Sequence, residues 1–426
     1  MKHKKILSLL AAALLLTACG TDNDVDSTSI FDTTAPERNE FDQWLKTNYT
    51  DKYNIQVIYR YNDKETDNYY NVIPAELDKA KALAILVKHM WLEAYEEAAG
   101  ADFIKKYAPR IYQFIGSPEF NPNSGSIVLG TAEGGLKITL FRVNALDPDS
   151  TYINYDNPFR NTYDTPLDLN YWFFHTMHHE FCHILTQTKN YSTDFQTISA
   201  GDYSSSDWVN FRDENADGPK AGFVSGYASS EYNEDFAEIY STYVTLSEEG
   251  WQKLLDKGRK PLTDDNGDPV YKKDKNGNYI YKKDADGNRI PALDADGNPV
   301  YVVDENGDPV YEKDEDGNYI LLLDEEGNPI PLLDENGKPI QKVDDFGNPV
   351  YSYENGKLYY VYEYEKKRLI EYEKEQDYDT TSYDKMVSKF NIVKEYFLNS
   401  WGIDIEEMRN IVVRRSSEKL DLRTLK

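Results

Sequence analysis

Cysteine is nearly absent: Cys19 and Cys182 are the only two in 426 residues. With Cys19 read below as a modification site, a single thiol remains and a disulfide-stapled fold is excluded. Basic residues are in deficit too. Lys and Arg number 47 against 75 Asp and Glu, a formal net charge of -28. Lys and Arg are not concentrated as a phosphate-binding surface would need anywhere beyond the first five residues, which argues against a nucleic-acid partner. Long apolar runs are also lacking; "ILSLLAAALLL" (Ile6 to Leu16) is too short to span a bilayer comfortably. Histidine is scarce, with six in all, yet four fall within one stretch, "HTMHHEFCH", His175 to His183. What is present in quantity is apolar: 40% of the chain, enough for a sizeable core and two or three domains of ordinary size.

The leader "MKHKK", the short apolar run and "LTACG" (Leu16 to Gly20) resemble a bacterial lipoprotein signal. On that reading residues 1–18 are a signal peptide, Cys19 is the lipidated first residue of the mature chain, and residues 19–45 are a flexible tether. Asp22, Asp24 and Asp26 resemble the acidic surface-export signals of some lipoproteins. The expected location is therefore the outer membrane, exposed at the cell surface.

The expected fold class is α+β. "YNIQVIYRY" (Tyr53 to Tyr61) reads as a strand, Glu76 to Ala98 as a long amphipathic helix, and Gly125 to Val143 as two strands around a glycine-rich turn. Residues 46–262 are expected to form the main domain, with 354–426, helical in pattern from Asp384 to Ser417, as its C-terminal helical part. Between them, over 263–353, the chain repeats every ten residues, as in "DADGNPVYVV" and "DENGDPVYEK", with glycine at every tenth position from Gly267 to Gly347. Each unit supplies an Asp-x-x-Gly turn and a short strand-like run, so an inserted β-hairpin or solenoid array is expected. Carboxylate pairs such as Asp284 and Asp286 raise calcium. The glycine comes too early for a calcium loop, however, and most units lack the distal Glu, so a β spacer or sticky arm is the plainer reading.

His179-Glu180-Phe181-Cys182-His183 is an HExxH motif. At about 100° per residue, Phe174, Met177, Phe181, Ile184 and Leu185 form an apolar arc opposite the stripe of His175, His179 and His183, so one face packs while the other presents ligands. His175 is about 12 Å from His183 along the helix axis and cannot share one ion with it. His178 points a quarter turn away. The ligand pair is therefore His179 and His183.

No histidine follows His183, which leaves a carboxylate as third ligand. "SGYASSEYNEDFAEIYSTYV" (Ser225 to Val244) places Glu234 and Glu238 one turn apart on one helical face, with Phe236, Ile239, Tyr240 and Tyr243 on the other. Asp235 is turned about 100° from Glu234 and leaves the stripe.

These features resemble the gluzincin metallopeptidases, in which two His on one helix and a Glu on the next bind zinc. The spacing of Tyr227, Glu234, Phe236, Ala237 and Glu238 is similar to that in the catalytic domain of the toxin lethal factor. Lipobox, "HEFCH", "GYAS" and "EDFAE" together resemble the bacterial substrate import-associated zinc metallohydrolase lipoproteins. That resemblance covers roughly Tyr53 to Leu262 plus the C-terminal helices, and the ten-residue repeats fall outside it. It implies a zincin-like metallopeptidase domain, Zn2+ as cofactor, and a place beside an outer-membrane nutrient importer. In roles that follow from the chemistry, His179, His183 and Glu234 hold the metal, and Glu180 is general base and later acid. Tyr227 would donate to the developing oxyanion, and Glu238 would orient one of the two imidazoles. Cys182 reads as a small buried residue. The substrate implied is a peptide or protein. The rival class is a non-catalytic binding lipoprotein that keeps the scaffold and makes contacts through its repeats; an intact Glu180 argues against it, since a binder needs no general base.

Overall fold

The structure, a computed structural model, describes residues 37–61, 71–120, 127–128, 130–133, 135–161 and 164–426. Cys19, the leader and most of the expected tether lie outside the described residues. Among those described, no helix is long and apolar enough to cross a membrane. The chain divides into two compact units. The first holds the chain up to Phe195, Tyr232–Trp251 and Phe390–Lys426, and the second holds Gln196–Glu231 and Gln252–Lys389.

The first unit contains a four-stranded sheet of β1 (Gln56–Ile58), β2 (Ile111–Phe114), β3 (Gly130–Glu133) and β4 (Lys137–Leu140), in the order β1-β2-β4-β3. Strands β1, β2 and β4 are parallel, and β3 returns antiparallel to β4 with Gly130 opposite Leu140. Gly135, at φ +72, supplies the left-handed residue between β3 and β4. The strand expected from Tyr53 to Tyr61 shrinks to three residues, because Asp51–Tyr53 are helical and Asn54 turns the chain through φ +60.

The apolar spacing after Glu76 does produce a long helix. Helix α1 (Leu77–Val87) continues through a π-turn, Lys88–Leu92, into Glu93–Ala99. A second π-turn, Asn170–Phe174, leads into α2 (His175–Thr188), which packs against α3 (Tyr232–Thr245). Phe181 of α2 meets Trp91 at 5.1 Å and Tyr95 at 5.0 Å, all three fully buried. Burial of such a ring contributes about 2 to 3 kcal/mol. Helix α3 is clamped from its other side, where Tyr240 stacks on Phe397 at 3.9 Å and Phe236 on Tyr191 at 4.0 Å. The apolar arcs thus fix both helices, which leaves their polar stripes to be positioned by packing rather than by each other.

In the second unit each Asp-x-x-Gly sequence closes a tight turn. Asp264 N–H donates to Asp268 O at 2.9 Å, Gly267 N–H donates to Asp264 O at 3.0 Å, and Asp264 Oδ1 accepts from the N–H groups of Asn266 and Asp268. The glycine sits at φ +89, where a Cβ would be strained. The same bonds recur from Asp274 to Asp344, so the first carboxylate of each unit is engaged in capping its own turn.

The units are then tied to a distant segment. Lys272 N–H donates to Glu375 O, Glu375 N–H to Ile280 O, and Ile280 N–H to Lys272 O, a closed triangle of backbone bonds. The next triangle uses Lys282, Ile290 and Glu373. Ten residues of repeat therefore advance against two residues of the segment 361–377. Pro269, Pro299 and Pro309 occupy positions whose N–H this ladder does not use. The C-terminal part opens with this extended segment, and the helices expected from Asp384 to Ser417 follow as α4 (Thr381–Tyr396) and α5 (Ile405–Ser416). The reason is visible in "VYEYE": its polar and aromatic residues alternate with period two, a strand pattern.

Candidate metal centre

Helix α2 is anchored before its motif begins. Asp168 Oδ1 accepts from the N–H groups of Asn154 and Asn170 at 3.0 Å each, and the Asn170 amide donates to Asn154 O and to Thr245 O at the end of α3. The two helices are thereby tied at one end, and their polar stripes meet running in opposite directions. His179 faces Glu234, and His175 faces Glu238.

At the centre, His179 Nε2 lies 2.9 Å from Glu234 Oε2, His183 Nε2 lies 3.2 Å from the same oxygen, and the two Nε2 atoms are 3.1 Å apart. Three donors around one tetrahedral ion with bonds near 2.0 to 2.1 Å would stand about 3.3 Å from each other. The observed triangle is close to that, and its chemistry of two imidazoles and one carboxylate suits zinc. Burial raises the Glu234 carboxyl, but hydrogen bonds from His179 and His183 outweigh it and hold the group at about 2. Burial lowers His179, but Glu234 and Glu238 bring it up to about 10. Because imidazole and carboxylate ligands must be deprotonated to hold a metal, affinity should weaken in acid.

Glu238 stands behind this triangle. Its Oε1 is 2.8 Å from His179 Nδ1 and 2.8 Å from His175 Nε2, so one buried carboxylate oxygen touches two imidazoles. With its far nitrogen against a carboxylate, a His179 that held a metal would present Nε2 to it. Glu180, one residue along, is raised above the usual carboxylate range by burial, against the pull of His179 and His183. The buried Cys182 thiol is pushed up by burial and stays protonated, consistent with a packing role. Tyr227 belongs to the second unit. It lies in the short turn Tyr227–Ser229, edge-on to Trp208 at 4.9 Å and 39% exposed.

Two features escaped the sequence reading. His178 is fully buried and hydrogen-bonds through Nδ1 to Tyr95 Oη at 2.8 Å, which in turn bonds to Tyr240 Oη at 2.8 Å. Burial, reinforced by nearby His175, holds His178 at about 3, a neutral ring at any ordinary pH. The signal was there: His178 shares the face of Phe181 and Leu185, and a histidine on an apolar arc requires a buried partner. The second is the contact of His175 with Glu238. Equal four-residue spacings on two facing helices, 175/179 and 234/238, foreshadow that pairing.

An α+β unit whose sheet and helices set two imidazoles and a carboxylate around one point is the architecture of a metal-dependent hydrolase. The sequence comparisons agree: a family model described as "Putative zinc-binding metallo-peptidase" matches residues 34–285, more than half of the chain, and the chain belongs to this family. Its cofactor is zinc. Among solved structures it is similar to a crystal structure of "a putative zinc-binding metallo-peptidase from Bacteroides caccae", with 26% identity, a TM-score of 0.51, and coverage of 93% of this chain and 100% of that one. No curated protein matches it.

Proposed function

We propose that this chain is a peptidase of gluzincin type, anchored by lipid at Cys19 to the outer membrane, exposed at the cell surface, and working beside a nutrient importer. The observation that carries the enzymatic part is the triangle of His179, His183 and Glu234 with Glu180 beside it. His179, His183 and Glu234 would hold the zinc. When bound, the metal makes water acidic enough to be activated near neutrality and polarises the scissile carbonyl. Glu180 takes the proton from the attacking water and passes it to the departing amine. Glu238 keeps the His179 ring in one tautomer and one orientation, and His175 braces Glu238 from the other side. The spacing of Tyr227 from Glu234 supports it as donor to the oxyanion that develops on the carbonyl oxygen.

The repeat segment is read as a β-hairpin or solenoid insertion, supported by its cyclic backbone bonds. The lipid anchor and the importer rest on the leader and on the family resemblance alone. Zinc analysis and a peptide-library digest test the enzymatic reading. Stoichiometric zinc with cleavage that chelation stops and zinc restores is expected; a zinc-loaded protein that cuts no peptide bond would sink it.

A further inference from the structure

From Val361 to Asp377 every odd-numbered residue spends both its N–H and its C=O on the repeats. Glu365, for example, donates to Ile330 O and accepts from Leu322 N–H, both at 2.8 Å. The even-numbered residues, Tyr362 to Gln376, make no main-chain hydrogen bond among the described residues. Their amide groups face off the opposite side of the strand and recur about every 6.8 Å. No proline interrupts this edge, whereas the outward positions of the repeats often carry one. All of these residues are at least partly exposed.

The side chains on this edge are sorted by charge. Bridges pair Tyr271 with Gln376, Tyr281 with Lys374 and Tyr311 with Arg368, which sets the even residues on the same face as the odd positions of the repeats. On that face Lys374 lies over Tyr279 at 5.0 Å, Arg368 over Tyr301 at 5.5 Å and Lys366 over Tyr319 at 4.4 Å. None of the bridged positions on it is Asp or Glu, in a chain with net charge -28. The glutamates of the same segment alternate onto the opposite face, where Glu373 and Glu375 pair with Lys282 and Lys272. Cations scattered in the sequence are thus gathered by the fold. An edge merely guarded against aggregation needs charge of either sign; the even-numbered face of this one carries cations alone, with Lys374 also 3.6 Å from Glu371 of the other face.

We propose that the outer edge of Val361–Asp377 is an exosite that binds an extended acidic polypeptide by strand addition. The partner's main chain takes up the open N–H and C=O groups, and its carboxylates meet Lys366, Arg368 and Lys374 among the tyrosine rings. A second copy of this strand is a poorer occupant, since pairing the segment antiparallel with itself about Leu369 sets Glu363 against Glu375 and Glu365 against Glu373. The inference names a substrate class for the peptidase reading and rests on it in that respect.

The test uses the full chain carrying Glu180→Gln, so that a bound peptide is not consumed. A fluorescent peptide of alternating Glu and Tyr is titrated by anisotropy. It should bind, lose affinity as salt rises, and bind roughly tenfold or more weakly to the Lys366→Glu, Arg368→Glu variant, whose circular dichroism should match the parent. The same peptide N-methylated at alternate residues should not bind. Equal affinity for a Lys-for-Glu peptide, or undiminished binding of the N-methylated one, overturns the proposal. So does a soluble polyuronate that binds where the peptide fails, which would make the face a glycan site. Hydrolysis by the native chain without acidic-peptide binding removes the exosite alone; binding with no hydrolysis by the native chain removes the peptidase reading alone.

Discussion

The two units solve the problem of holding a polar array in opposite ways. In the first, the polar stripes of α2 and α3 are placed by apolar arcs packed against residues far away in sequence: Trp91, Tyr95, Phe397. In the second, each unit satisfies its own turn within five residues and borrows only two backbone bonds from a distant strand. The first arrangement is global, so a single change propagates to the site. The second is modular, so a change stays where it is made.

That contrast predicts a descending order of effects. Glu234→Ala should nearly abolish zinc binding, Glu238→Ala should weaken it about 10 to 100-fold, and Asp235→Ala should do less to the metal than either; competitive zinc titration decides. An Asp235 variant that loses zinc while the Glu234 variant keeps it would reverse the assignment. Since Asp235 is fully buried, its loss should register in stability instead.

Next in size, Phe181→Ala should cost about 3 to 5 kcal/mol in urea unfolding, because it opens a cavity between Trp91 and Tyr95. In the repeats, Gly317→Ala meets no atom within 4 Å but must hold φ +86, a cost of about 1 to 2 kcal/mol confined to its turn. Hydrogen exchange should quicken around Asp314 to Asn318 and nowhere in α2. Exchange that spreads to other units would show that the array is cooperative rather than modular.

The smallest effect concerns pH. A hydrogen bond from His89 outweighs burial and, with Lys88 and Arg415, holds Glu93 at about 2. A carboxyl held below its ordinary value contributes stability above about pH 4.5 and loses it as pH falls toward 2. Glu93→Gln should therefore cost about 1 kcal/mol at pH 7, allowing for solvent screening at a half-buried group. The gap from native should close over that acid range. A gap that stayed constant in acid would mean the loss is one of packing, not of charge.

How much could be read beforehand follows the same division. The Asp-x-x-Gly turn is a local fact legible in any single unit, and the ten-residue period and the tolerance of proline are legible from a few units side by side. The partner of those units was not, because Val361–Asp377 lies more than a hundred residues from the first of the units it binds. In the first unit the motif residues and Glu234 stood out because ligand chemistry demands a strict spacing. The His178–Tyr95–Tyr240 chain did not, since Tyr95 reaches His178 only through folding across 83 residues.

The central claim is that His179, His183 and Glu234 hold the zinc while Glu180 moves the proton. It is tested most directly by comparing the native chain with Glu180→Gln for zinc content and peptide hydrolysis together. Equal zinc in both, with turnover lower by roughly a hundred- to ten-thousand-fold in the variant, is the predicted result. Near-native turnover in Glu180→Gln, with its zinc retained, would contradict it.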